Sequence, residues 1–281
     1  MLDLTLFFQP AASIHAPEGA LYHHIHFSPE SSEEIERNSI CVFHVNEYRG
    51  RGEENQPMLD FRSTAYSLFP GQDWNMKIYD LGDMNPGATP EDTYFAVQTV
   101  VAELIKNNCI PLLIGGSMDL LHAISVGYEV TEQLINICAI DDRISLGKPD
   151  EDISSDGYLS SLLLRRPCYL FNHATIGLQP NRNSPLNLDL YDKLYFDVCR
   201  LGAFNTDFKV AEPILRNSDI IGMNLEALKA SERMIDAGNP NGFTVEQFCQ
   251  IAKYSGISDK LSCFGIFNPS HSHGQDAAIA A

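Results

Sequence analysis

Apolar residues in this chain cluster into short continuous runs, separated by longer segments in which apolar positions recur with helical spacing. The runs predict strands at 39–45, 74–82, 109–116, 135–142, 167–173, 218–228 and 261–269. Most of them are continuous rather than alternately apolar and polar, which is typical of parallel strands covered on both faces. The pattern therefore predicts an α/β fold around a mainly parallel sheet.

Two of the helical segments carry clear start signals. Residues 89–108 have Thr89 as the expected N-cap, followed by a proline and two acidic residues. Residues 243–256 have Thr244 as the expected N-cap, and Gly256 is expected just beyond the last helical residue. A third helix is expected at 119–128, directly after a pair of glycines.

The chain is predicted to form one domain over residues 1–281. No linker rich in proline, glycine or serine divides it, and no internal repeat is present. The acidic loop at 148–157 and the stretch at 179–189 have the least pattern. The closing residues 274–281, GQDAAIAA, resemble the beginning of a shortened helix, so a contact surface is expected near 264–281.

Composition and charge argue against several classes of binding partner. With 37 acidic and 19 basic side chains, the formal net charge of −18 opposes binding to nucleic acid or to anionic lipid. No run of apolar residues is long enough for membrane insertion. Seven cysteines without CxxC spacing suggest free thiols and a cytoplasmic protein.

Polar residues follow four of the predicted strands. Ligands of open α/β sheets lie outside the carboxyl ends of the strands, so these segments are candidate sites. They read NEYRGRGEEN (46–55), GGSMD (115–119), DDRIS (141–145) and NLEAL (224–228).

In their order, these segments resemble the ureohydrolase superfamily, which includes arginase, agmatinase and formimidoylglutamase. Members of that family carry GGDHS, DAHxD and SxDxDxxD motifs that hold two manganese ions, which activate water to attack a guanidinium or formimino carbon. The resemblance covers roughly residues 40–280 and is weak at 148–190. It implies a three-layer αβα arginase-like fold with a sheet of about eight strands, and an oligomer.

The family's metal ligands are largely replaced in this chain. The degenerate pocket consists of Ser117, Met118, Asp141, Arg143, Ser145, Asn224 and Glu226. Of six ligand positions implied by the resemblance, Asp141 is unchanged, Glu226 is a conservative change and four are lost. These two carboxylates are the residual metal candidates. Hard cations need carboxylates and imidazoles, so no metal cofactor is expected.

Two side chains are expected to compensate for the lost metal. Arg143 cannot be deprotonated, and it is predicted to point into the pocket and pair with Asp141, Glu226 or both. Met118 is predicted to fill the vacated volume as an apolar plug.

Several weaker signals have ordinary structural explanations. His24 and His26 lie on one face of a possible strand at 22–27 and could form a metal pair. They lack a nearby third ligand, so a polar edge strand is the ordinary explanation. Ser117 sits where a nucleophile elbow could form, but the G-x-S-x-G pattern is missing. Arg49 and Arg51 in YRGRGEEN could bind a carboxylate-bearing ligand, but pairing with the adjacent Glu53 and Glu54 is the ordinary explanation.

The sequence therefore leads to a ureohydrolase-like protein that has lost its dimanganese chemistry. We expect a non-catalytic binding or assembly component, acting as a homo-oligomer or with a protein partner. The alternative is a C–N hydrolase of the formimidoylglutamase or arginase type that uses Mn²⁺ on a linear amidine or guanidino compound. A metal-free enzyme built around Asp141, Arg143 and Glu226 is a third hypothesis.

Overall fold

The computed structural model describes residues 2–55, 60–71, 75–148, 151–233 and 239–269, which form ten strands and eight α-helices. The strands are β1 (Phe8–Gln9), β2 (Ile25–Phe27), β3 (Ile40–Val45), β4 (Ile78–Met84), β5 (Ile110–Ile114), β6 (Ile135–Ile140), β7 (Leu170–Leu178), β8 (Asp197–Arg200), β9 (Ile220–Asn224) and β10 (Cys263–Phe267). The helices are α1 (Phe61–Ala65), α2 (Pro90–Lys106), α3 (Leu120–Gly127), α4 (Tyr158–Leu164), α5 (Pro185–Lys193), α6 (Leu201–Thr206), α7 (Glu212–Arg216) and α8 (Val245–Gly256).

All ten strands belong to one sheet. Its order is β1-β4-β3-β5-β10-β9-β6-β7-β8, and β2 also pairs with β4. Every pairing is parallel except that of β1 with β4. The carboxyl ends of β5, β10, β9, β6 and β7 therefore lie along one edge.

Helices cover both faces of this sheet, as β6 illustrates. Ile137 and Ala139 pack into the core that contains α2, α3 and α4. Cys138 and Ile140 pack into the core that contains α6, α7 and α8. Because successive strand side chains point to opposite faces, a continuous apolar run is what two covered faces require.

The predicted fold class is confirmed, with ten strands where about eight were expected. The additional strands β1 and β8 have two and four residues, too few for a readable pattern, and β2 lies within the possible edge strand at 22–27. The strand predicted at 167–173 lies at Leu170–Leu178. Helices α4 to α7 were not predicted, and α5 begins inside the stretch at 179–189.

The predicted helix starts are confirmed. Thr89 and Thr244 each accept from the backbone N–H three residues later, and that residue's side chain bonds back to complete a capping box. Gly256 is the last helical residue rather than the residue beyond it, so that expectation was wrong.

The predicted shortened C-terminal helix lies outside the described residues. Among the residues described, no helix is both long and apolar enough to span a bilayer.

A buried ion network fixes the edge of the sheet around β4. The Arg62 guanidinium donates to Asp80 at 2.6 and 3.0 Å, to Asp83 at 2.8 Å and to the carbonyl of Gly82 at 3.0 Å. Tyr66 adds a 2.6 Å bond to Asp80. Gly82 has φ +97°, and a Cβ there would overlap a backbone oxygen of the neighbouring segment, so only glycine suits this irregular point of β4.

Arg62→Met should lower the free energy of unfolding by roughly 3–5 kcal/mol, because it leaves two buried carboxylates without their cation. The measurement is the free energy of unfolding from urea denaturation. Lys77→Met is the matched control, since the Lys77–Glu36 pair is exposed and screened by solvent, so its loss should change the free energy of unfolding little. Equal effects of the two substitutions would contradict a structural role for the buried network.

Candidate functional site

A polar cavity of about 430 Å³ opens at the carboxyl edge of the sheet. Asp141 follows β6, Asn224 ends β9 and Asn268 follows β10, so adjacent strands supply its floor. The lining residues are Arg51, Asp141, Asp142, Arg143, Ser145, Ser155, Asp156, Arg182, Asn224, Glu226, Arg233, Asn239 and Asn268. Guanidinium groups, carboxyl groups and amides dominate, so the cavity suits a small charged or polar molecule.

A chain of hydrogen bonds crosses the floor of this cavity. The backbone N–H of Asn268 donates to the carbonyl of Gly116 at 2.7 Å, and its side-chain amide donates to the Asn224 oxygen at 2.9 Å. The Asn224 amide in turn donates to Asp141 Oδ2 at 2.8 Å. We call these three side chains, Asp141, Asn224 and Asn268, the amide relay. The amide relay and the Asn268–Gly116 backbone bond together link the ends of β6, β9, β10 and β5.

Asp141 is the titratable member of the amide relay. Its Oδ1 accepts the backbone N–H groups of Asp142 at 2.6 Å and Arg143 at 3.2 Å. Burial, reinforced by the neighbouring charge of Asp142, nevertheless raises the pKa of Asp141 to about 7. The hydrogen bonds from Asn224 and the two backbone groups oppose that rise. The charge of this carboxyl therefore changes near neutral pH.

Arg143 does not have the predicted partners. Its guanidinium Nε lies 3.6 Å from Asp142, and its side chain is 46% exposed. Glu226 is instead bonded by Arg51 at 2.9 Å, and Asp141 by the Asn224 amide. The prediction failed because Arg143 follows the strand end and turns along the cavity wall, while a cation from another loop reaches Glu226.

The GGSMD turn is sealed from the cavity. Met118 is 1% exposed and packs in the core with α2 and α3, so it is an apolar plug that does not line the cavity. Ser117 is fully buried and donates to Asp119, which removes the geometry of an exposed nucleophile. Gly50 lies against Asp119 so closely that a Cβ would overlap the carboxylate. The Arg49–Arg51 turn thus closes over GGSMD and carries Arg51 to the cavity.

Of the predicted pocket, Asp141, Arg143, Ser145, Asn224 and Glu226 are brought together in the cavity lining. Arg51 also contacts Glu53 at 3.1 Å, as the local alternative predicted. His24 and His26 fall in different elements, a 3₁₀ turn and β2.

Sequence reasoning missed several lining residues because two strand ends were misplaced. The strand predicted at 167–173 ends at Leu178, so Arg182 is a strand-end residue rather than part of an unpatterned loop. The last strand ends at Phe267, so Asn268 follows the strand instead of lying inside it. Asp142 lies within the candidate segment DDRIS, although no separate role is expected for it there. Arg233 and Asn239 do not follow a predicted strand, so no comparable signal marks them in the sequence.

The residues of the cavity do not fit the manganese pair that the sequence resemblance implies. Within the described part of the chain, no three His, Cys, Asp or Glu side chains are placed to hold a metal ion. The donor chemistry agrees with this. Both oxygens of Asp141 accept hydrogen bonds, and Glu226 is paired with a guanidinium. Asn224 directs an N–H rather than an oxygen at Asp141, which is the wrong polarity for a cation between them.

Comparisons with known proteins identify the fold. No family model matches the chain, and no curated protein matches it in sequence. Trypanosoma cruzi formiminoglutamase, in a crystal structure with Mn²⁺, superposes with a TM-score of 0.78 at 13% identity, covering 95% of each chain. Formimidoylglutamase from Bacillus subtilis gives 0.77 at 13% identity, covering 99% of this chain and 94% of the other.

Proclavaminate amidino hydrolase from Streptomyces clavuligerus gives a TM-score of 0.71 at 16% identity, over 94% of this chain and 93% of the other. The predicted resemblance is therefore confirmed at the level of the fold, which is the arginase-like α/β fold. At such low identity, the likeness does not transfer an activity.

Asp141→Asn should change how stability depends on pH. The folded protein binds the Asp141 proton more tightly than an unfolded chain with a pKa of 3.8. Its stabilising contribution is complete below that value and is lost as the pH rises through about 7. Between pH 5 and pH 8, the free energy of unfolding of the wild type should therefore fall by roughly 2–3 kcal/mol through this group. The variant lacks the titrating carboxyl and should not show that fall.

Urea denaturation at the two pH values measures this difference. Asp156→Asn removes an exposed carboxyl at the rim of the same cavity and should follow the wild type. Parallel pH profiles for wild type and Asp141→Asn would mean that Asp141 is ionised throughout the range.

Proposed function

We propose that this protein is a metal-independent binding protein built on the arginase-like fold, and that its cavity holds a small polar molecule without hydrolysing it. The observation that carries this proposal is the amide relay. Asn224 directs an N–H donor at Asp141 where cation binding would need an oxygen ligand, and Asn268 donates to the Asn224 oxygen, so protein N–H groups occupy the acceptors of Asp141. What remains is a preformed, charged cavity of ligand size.

A role in an assembly belongs to the same proposal. The sequence suggested a contact surface near 264–281. Residues 270–281 of that predicted surface lie outside the described residues. Ligand binding is therefore the function for which the described side chains give direct support.

The competing function is a C–N hydrolase acting on a linear amidine or guanidino compound. It is favoured by the fold shared with formiminoglutamase and proclavaminate amidino hydrolase. Such chemistry requires a water or another nucleophile to be activated beside the substrate carbon. Asp141 could supply a base near neutral pH, but Glu226 is paired with Arg51 and the Arg143 guanidinium lies nearest Asp142, which argues against a catalytic set built from these three residues.

Asn224→Asp provides the test of metal independence. Wild-type protein should retain less than about 0.1 Mn²⁺ per chain after dialysis, and added Mn²⁺ should not raise its melting temperature. The variant places a second carboxylate beside Asp141, so it should be destabilised without metal by roughly 2 kcal/mol or more and be stabilised by Mn²⁺. Asn181→Asp makes the same charge change at an exposed position, so it should neither destabilise the metal-free protein nor make it respond to Mn²⁺.

Elemental analysis and thermal denaturation give these results, with T. cruzi formiminoglutamase as the positive control. About two Mn²⁺ per chain in the wild type would overturn the proposal. So would release of ammonia, formamide or urea from formiminoglutamate, arginine or agmatine that is lost in Asp141→Ala.

A further inference from the structure

Among the described strands, the sheet ends at β8, and the surface beside this edge strand is apolar. We call its five exposed apolar side chains the β8 patch: Leu186, Leu190, Leu194, Tyr195 and Val198. Tyr195 is 91% exposed, Leu186 is 79% exposed, and the other three lie between 36% and 46%. Single exposed apolar residues are ordinary, whereas a contiguous group of this kind marks a contact surface.

Helix α5 and its C-cap residue carry the three leucines of the β8 patch. Tyr191 marks the inner face of the helix, because it is buried and its hydroxyl lies 3.0 Å from Thr175 Oγ1 of β7. Leu188 packs against the core on one flank. At about 100° of rotation per residue, the three leucines, spaced four residues apart, share the opposite flank. That flank therefore faces the free edge of the sheet rather than its centre.

Val198 continues this apolar surface from the helix to the strand. In the sheet it pairs with Thr175, the residue beneath Tyr191, so it lies beside α5. Cys199 packs into the core on the opposite face, so the preceding Val198 points to the face that carries α5. Tyr195 lies in the short connection between helix and strand. The β8 patch is therefore continuous from α5 to the edge of the sheet.

Tyr195 occupies a backbone position that is unfavourable for a tyrosine. It follows the C-cap of α5 with φ +58°, the left-handed conformation that glycine or asparagine usually adopts there. Its ring is almost fully exposed, so no packing within the described chain offsets this backbone strain. An aromatic ring held in this way is suited to burial against another surface.

We propose that the β8 patch joins two copies of this chain, with β8 of one copy paired antiparallel to β8 of the other about a two-fold axis perpendicular to the sheet. Such an axis continues the sheet from one copy to the next and keeps both α5 helices on the same face. The leucine flanks of the two helices then meet above the paired strands. Val198 lies nearest the axis, which places the apolar face at the centre of the contact.

The area of the β8 patch suits a dimer of two such surfaces. From their exposed fractions, the five side chains present roughly 600 Å², the upper end for the largest apolar patch of a monomer. A standard interface buries roughly 800 Å² on each partner. The backbone edge of β8 and the polar side chains around the patch supply the remainder. Among these are Asp189 and Lys193, which form an exposed ion pair on α5 and give the contact a polar rim.

The net charge of the chain gives this association a specific salt dependence. Each copy carries a formal charge of −18, so two copies repel each other at low ionic strength. Added salt screens that repulsion without weakening an apolar contact. The dimer should therefore become tighter as salt is added, whereas a contact held by ion pairs would become weaker.

Sedimentation equilibrium of the full chain measures the association. We expect a monomer–dimer equilibrium with a Kd on the order of micromolar to tens of micromolar in about 0.15 M salt. In about 0.5 M salt the Kd should be lower by roughly threefold or more.

Two variants of the β8 patch and one matched control locate the contact. Leu190→Glu places a charge within the patch and should raise the Kd roughly 100-fold. Phe95→Glu makes the same kind of change at an exposed position of α2 outside the patch, and should dimerise as the wild type does. Tyr195→Gly should raise the Kd roughly tenfold. Its melting temperature as a monomer should stay close to that of the wild type, since glycine adopts φ +58° readily.

Val198→Cys tests the pairing of the strands. Directly opposed residues of antiparallel strands have Cα atoms about 4.5–5.5 Å apart, a distance that a disulfide spans. Mild oxidation with oxidised glutathione should therefore join two copies of this variant at position 198, as peptide mass spectrometry would identify. Phe95→Cys and the wild type, treated in the same way, should not form this covalent dimer.

The inference is overturned if the wild type is monomeric at about 100 μM in high salt. It is also overturned if Leu190→Glu associates as the wild type does, if Phe95→Glu weakens the dimer equally, or if Val198→Cys is not cross-linked. This inference extends the assembly role within the proposed function and does not depend on what the cavity binds. A metal-free, inactive monomer would remove this inference alone. Manganese or hydrolysis in the wild type would remove the proposed metal independence while the dimer stands.

Discussion

A buried carboxyl group at the junction of parallel strands has to be compensated, and the structure around the cavity depends on how Asp141 meets that requirement. The compensation comes from N–H groups: two of its own loop and one of Asn224, which Asn268 orients in turn. Because Asn224 ends β9 and Asn268 follows β10 and bonds to Gly116, satisfying this one side chain also fixes the mutual position of β6, β9, β10 and the GGSMD turn. The same hydrogen bonds thus stabilise the Asp141 carboxyl and hold the strand ends in position.

Much of this arrangement could be predicted from sequence, for reasons that differ between elements. Continuous apolar runs identified the long parallel strands, since burial on both faces leaves no room for alternation. The same reasoning placed Asp141, Asn224 and Glu226 together, because they follow strands of one sheet. It could not find β1 or β8, which are held by pairing with neighbours rather than by their own pattern.

The partners of the charged side chains were the least predictable part. Arg143 was expected to meet Asp141 or Glu226 as a cation in place of the metal, yet its backbone N–H, and not its guanidinium, reaches Asp141. Arg51 meets Glu226 across 175 positions of sequence, through a turn that requires a glycine at position 50 to pass over Asp119. A long, flexible cationic side chain can choose among several carboxylates, and that choice is decided by loop packing, which a single sequence does not encode locally.

The position of β10 in the sheet has a consequence for how the chain reaches this state. β10 is the last described strand in sequence but lies between β5 and β9, near the middle of the sheet. Without β10, the remaining pairings would leave two smaller sheets whose open edges, β5 and β9, are both apolar. Such edges invite pairing with other chains, and their closure requires contacts of high sequence separation, so folding should be slow and prone to aggregation until the final strand is available. Because Asn268 follows this strand, the cavity floor is completed at the same step as the sheet.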